Sequence, residues 1–63
     1  KKLRREGKLP PGWEKKMVWF PEELERRLPP LRPGLRRGLF EAQAVICDER
    51  TGLILDVATV FDP

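Results

Sequence analysis

The chain has no histidine and no tyrosine, and only one cysteine among its 63 residues. Lacking histidine, it is without the commonest general base at neutral pH and the commonest transition-metal ligand. A single cysteine excludes an internal disulfide and any multi-cysteine zinc site. No apolar run approaches the roughly 18 to 20 residues of a membrane-spanning helix, and no signal-peptide pattern is present. The length allows one small domain, which on folding buries only about 60% of the surface its unfolded chain exposes. A catalytic cleft with its supporting residues is hard to build on so small a core, so composition argues against an enzyme, a bound cofactor and a small-molecule substrate.

What the chain does have is charge, and the charge is unevenly placed. The net charge is +3, but residues 1–37 carry 12 basic and 5 acidic side chains, a net of +7, and residues 38–63 carry 1 and 5, a net of −4. Such a split points either to an anionic partner (nucleic acid, lipid headgroups or an acidic protein surface) or to two halves that attract each other. Arg26, Arg27, Arg32, Arg36 and Arg37 are the candidate anion-facing set, because they cluster in sequence. Trp13, Trp19 and Phe20 interleave with Lys15 and Lys16, which suits base stacking above a phosphate-binding surface. With five aromatic residues in the whole chain, packing is the stronger claim on them.

Seven prolines punctuate the chain and set its expected elements. Residues 1–8 read as the end of a helix with Gly7 at its C-terminal stop. Pro11 starts a second short helix, in which Trp13 and Met17, four apart, share a face. Residues 20–28 read as the clearest helix: proline in the first turn, Glu22, Glu23 and Glu25 near its start, Arg26 and Arg27 near its end, and Leu24 and Leu28 toward the core. Phe20 is a poor cap, so that helix start relies on packing. Pro29 and Pro30 end it, and Leu31-Arg32-Pro33-Gly34 follows as a linker or turn.

The second half changes to β character. Residues 42–47 and 53–60 are rich in strand formers, and Asp48-Glu49-Arg50-Thr51-Gly52 has hairpin-loop chemistry. Asp48 can close an Asx turn, and Gly52 can take a left-handed bulge position. Residues 35–40 form a candidate third strand, in which Gly38 suggests a bulge or bend. Ile46, Leu53, Leu55 and Val57 are the expected inward residues, with Gln43 and Asp56 more exposed. Cys47, between Ile46 and Asp48 with no histidine to pair with, reads as a small buried hydrophobe rather than a nucleophile. Asp48, Glu49, Asp56 and Asp62 lack calcium-loop spacing and read as turn and surface residues. The expected architecture is α+β: short proline-initiated helices packed on an antiparallel meander or hairpin of two to three strands. It forms one domain over residues 1–63, with a basic helical part (1–34) and a β part (35–63).

Leu9-Pro10-Pro11-Gly12-Trp13-x-Lys15-Lys16, then Leu28-Pro29-Pro30-Leu31-x-Pro33-Gly34, then Asp48-x-Arg50-Thr51-Gly52-Leu53-Ile54-Leu55-Asp56-Val57 form an ordered pattern. It resembles the RcnB-type family of small bacterial envelope proteins, which includes nickel and cobalt homeostasis proteins and CigR-like virulence-modulating relatives. The resemblance covers residues 7–60, and Pro10, Pro11, Gly12, Trp13, Pro29, Pro30, Asp48, Thr51, Gly52 and Asp56 carry it. It implies a non-catalytic module, periplasmic or tethered to a membrane and facing the periplasm, exported by an upstream signal. It also implies contact with another envelope protein, with self-association through a sheet edge as a further route. Separately, the chain opens on Lys1 without Met and so reads as a piece of a longer protein. Two departures matter. The absence of histidine means that no nickel or cobalt role transfers to these residues. Leu35-Arg36-Arg37-Gly38-Leu39-Phe40 stands where relatives often carry a tyrosine-rich strand. The alternative is a basic module that binds nucleic acid or an anionic membrane.

Overall fold

In the computed structural model, which describes residues 3–59, four antiparallel strands pair in the order β1-β2-β3-β4. They are β1 (Met17–Trp19), β2 (Leu35–Phe40), β3 (Gln43–Asp48) and β4 (Ile54–Thr59), with single-turn helices α1 (Trp13–Lys16) and α2 (Glu22–Glu25) before β1 and β2. The class is α+β, and the sheet has four strands rather than two or three. Lys1 and Lys2 of the expected first helix, Val60 of the expected last strand, and Asp62 lie outside the described residues.

The added strand starts at Met17, expected on a helix face with Trp13, and continues through Val18 and Trp19. α1 stops at Lys16, and Met17 is already extended (φ −78°, ψ 133°). Met17, Val18 and Trp19 then pair with Phe40, Leu39 and Gly38. A helix this short has little stability of its own, so a pairing partner for three β-favouring residues wins. Trp13 and Met17 still meet in one core, but from different elements. The first expected helix is also absent from the described residues. A turn closes from the Gly7 N–H to the Arg4 carbonyl (3.0 Å), with Glu6 at φ 69°. The chain then runs along the start of β4, through Glu6 N–H to Ile54 O (2.7 Å), Ile54 N–H to Gly7 O (2.8 Å) and Leu9 N–H to Gly52 O (3.0 Å).

α2 is shorter than the sequence suggests. It starts at Glu22, capped by Pro21 rather than Phe20 and without a side-chain hydrogen bond, and single turns carry the chain on to Leu28. Leu24 is exposed instead of facing the core, because one helical turn leaves no continuous apolar stripe to bury. Two Pro-Gly pairs make matching turns, with Trp13 N–H bonded to Pro10 O and Leu35 N–H to Arg32 O (both 3.1 Å). Gly12 (φ 79°) and Gly34 (φ 90°) take the third position that type II turns reserve for glycine.

The core lies on one face of the sheet: Met17, Phe40, Val45, Cys47 and Ile54, covered by Leu9 and Trp13. Inward phase differs from expectation. Val45, Cys47 and Ile54 are buried, whereas Ile46 and Leu55 are half-buried and Leu53 is exposed. Only Val57 of the expected set packs against the core. Side chains alternate with period two, so a one-residue choice of phase exchanges the faces. β4 also carries one extra residue where the partners step from Asp56 to Ile54 opposite Ile46 and Cys47. This is where the sheet is irregular, not at Gly38, which pairs regularly with both Trp19 and Val45. Glycine is needed there for another reason. A Cβ at that position would overlap the Met17 sulfur and lie 3.0 Å from a Trp19 ring carbon.

Candidate functional site

Two of the family-like motifs meet in space. Asp48 Oδ1 accepts the N–H groups of Arg50 (2.8 Å) and Thr51 (3.1 Å), while Thr51 Oγ1 accepts that of Leu53 (3.2 Å). Gly52 closes the loop at φ 80°. This is the Asx turn and left-handed glycine expected from the loop. Trp13 lies directly on Gly52: a Cβ there would stand 2.8 Å from the indole Nε1. The Pro-Pro-Gly-Trp and Thr-Gly motifs are thus two sides of one contact. Asp56 pairs with Arg5 (3.1 Å) and also accepts the Val57 N–H (2.9 Å), so the segment before the first motif is fastened to β4. The Pro29 carbonyl accepts a bond from Arg37 (2.6 Å), whereas Pro11 and Pro30 are exposed turn and linker residues.

The five candidate arginines do not share a surface. Arg36 and Arg37, adjacent on β2, project to opposite faces of the sheet. Arg36 stacks over Trp19 (4.3 Å) and pairs with Glu49 (3.7 Å). Arg37 is mostly buried and held by Glu25 and the Pro29 carbonyl. Arg26 bridges to Glu22 one turn away (3.6 Å), an exposed pair worth little. Arg27 and Arg32 are exposed. The aromatic residues are engaged in packing: Trp13 and Phe40 are buried, Trp13 meets Trp19 edge-on at 5.9 Å, and Arg36 covers the Trp19 ring.

Cys47 is fully buried, and burial, reinforced by the nearby Asp48 charge, pushes its thiol pKa up. That is the opposite of what a reactive thiolate requires. Asp48 and Asp56 titrate below the usual carboxylate range, the first because it accepts the Arg50 and Thr51 N–H groups, the second because it is bonded to Arg5. Among the described residues no three metal-capable side chains gather, and no helix is long and apolar enough to cross a membrane.

Sequence reasoning overlooked Arg4 and Lys8. With Leu3, Pro10, Phe40 and Glu41 they border a groove of about 460 Å³. Their place in the basic opening run was visible, but a groove formed by residues near both 8 and 40 has no local signal. Set beside models of known protein families, curated proteins and solved structures, the chain matches none of them.

Proposed function

We propose that this domain is a non-catalytic interaction module of the bacterial envelope, of the RcnB/CigR type. It acts in the periplasm or tethered facing it, as an accessory to stress response, metal-ion homeostasis or virulence modulation, with no metal site of its own. The observation that carries the reading is the Trp13–Gly52 contact. Two of the motifs that carry the resemblance, Pro10-Pro11-Gly12-Trp13 and Thr51-Gly52, are well separated in sequence and touch in space, which supports the reading. Most motif side chains maintain the fold, which leaves function to the surface around them. Edge pairing is restricted on the β4 side, where the 6–9 segment occupies the backbone near Ile54 and Asp56 takes the Val57 N–H. The β1 edge is three residues long.

The test is localisation of the full gene product by cell fractionation and by protease access in spheroplasts. Recovery in the periplasm or on the periplasmic side of a membrane supports the reading, and recovery in the cytosol sinks it. The alternative, electrostatic binding of nucleic acid or an anionic membrane, is disfavoured by the pairing of Arg36 with Glu49 and Arg37 with Glu25.

A further inference from the structure

Grooves open in several places among the described residues, and their charges separate one from two others. The groove on the open sheet face is bordered by Arg37 and Asp56, already engaged by Glu25 and Arg5. The groove beside α2 holds Glu22, Glu25 and Arg36, which are paired with Arg26, Arg37 and Glu49. A charged partner would have to break an existing pair at either place. The groove of about 460 Å³ differs. Leu3, Pro10 and Phe40 supply an apolar lining, Arg4, Lys8 and Glu41 its charges, and no ion pair within the described residues engages those three.

We infer that this groove docks an acidic peptide segment of a partner protein, with one apolar side chain seated in the lining and acidic neighbours facing Arg4 and Lys8. The inference rests on the protein-interaction reading above and gives that partner a chemistry. The apolar recess removes an anchor side chain from water, and two cations at its border, unpaired among the described residues, select acidic flanks. Glu41 repels acid on its own side and so favours one orientation of the segment. The wall is held in place beforehand by the backbone bonds of Glu6, Gly7 and Leu9 to Ile54 and Gly52 and by the Arg5–Asp56 pair, which lowers the cost of ordering on binding. Nucleic acid fits less well, because Phe40 and Trp13 are buried and offer no ring face for a base to stack on. A lipid surface meets protruding residues more readily than a recess.

The experiment titrates the whole chain against a fluorescent peptide of Asp and Glu around a central Phe. Saturable binding is expected, weakening as salt rises from about 0.05 to 0.2 M. Arg4→Glu combined with Lys8→Glu should weaken it by about tenfold or more, Arg27→Glu combined with Arg32→Glu by no more than about twofold, and Glu41→Gln should strengthen it about twofold. Equal losses from both double variants, or no binding, overturn the inference. Chemical-shift changes centred on Ala44 and Ala58 overturn the site but leave the interaction reading standing. Tighter binding of single-stranded RNA or phosphatidylglycerol vesicles, lost on reversal of Arg4 and Lys8, overturns both.

Discussion

On one face of the sheet Met17, Phe40, Val45, Cys47 and Ile54 are sealed beneath Leu9 and Trp13. On the other, Val18, Leu39, Ala44 and Ala58 form a second apolar row, of smaller side chains, in register across all four strands, and it is exposed or half-covered. Larger apolar side chains mark one face for the core, and the returning segment completes its cover. The turn at Pro11-Gly12 delivers Trp13 onto Gly52, whereas the α2 segment brings Phe20 and Leu28 to the edge of a groove and spends its polar group, Glu25, on Arg37. One cover is a large aromatic ring on a glycine, the other a partial screen with an ion pair in it.

The largest effect should come from removing the first cover. Trp13→Ala is expected to cost about 3 to 5 kcal/mol, comparable with the whole stability of a chain this short. Loss of a cooperative urea transition would register it. A cooperative, near-normal transition would mean that the sealed face does not depend on this residue, and the contrast between the faces would fail.

Gly38→Ala is the next step down. The added methyl overlaps the Met17 sulfur on the sealed face, and overpacking of this kind costs about 1 to 3 kcal/mol. Ala58→Val, an enlargement on the open face where Ala58 is exposed, should change stability by no more than about 0.5 kcal/mol in either direction. Equal losses from the two enlargements would show both faces to be packed.

These two sites also mark how far the sequence could be read. The hairpin at Asp48–Gly52 was legible because its determinants are local: a carboxylate within reach of two following N–H groups, and a glycine where φ must be positive. Cys47 was legible from its neighbours. β1 was not, since three residues carry no measurable periodicity and depend on β2 for their partner. Nor was Gly38, whose cause is a methionine 21 positions away. The separation of Arg36 from Arg37 followed from strand alternation once residues 35–40 were read as a strand, yet sequence clustering suggested a shared patch. The groove at Arg4 and Lys8 had to wait for the fold.

Acid should loosen the strap that completes the sealed face. Asp48 and Asp56 both have depressed pKa values when folded, so the unfolded chain takes up protons first as pH falls. Their contribution is complete above the unfolded carboxyl value near ~3.9 and is lost as pH drops through the lower folded values. Urea midpoints should be level between about pH 7 and 5 and fall below about pH 4. Asp56→Asn should shallow that fall, because it removes one of the two responsible carboxylates. An unchanged acid limb in this variant would mean that Arg5 does not hold the 3–9 segment to β4 in solution.

The smallest expected effect is the most informative about function. Val18 is 64% exposed on the edge strand, and Val18→Lys should change stability by less than about 0.5 kcal/mol. A lysine on an edge also discourages strand-to-strand association. If the open face is open in solution, unfolding midpoint and sedimentation will match those of the parent chain at every protein concentration. If the variant loses about 1 kcal/mol or more and that loss grows with the concentration at which the parent is measured, another copy covers Val18 in the parent. Both faces would then be sealed, one within the chain and one between chains, and the row from Val18 to Ala58 would become the interface through which the module acts.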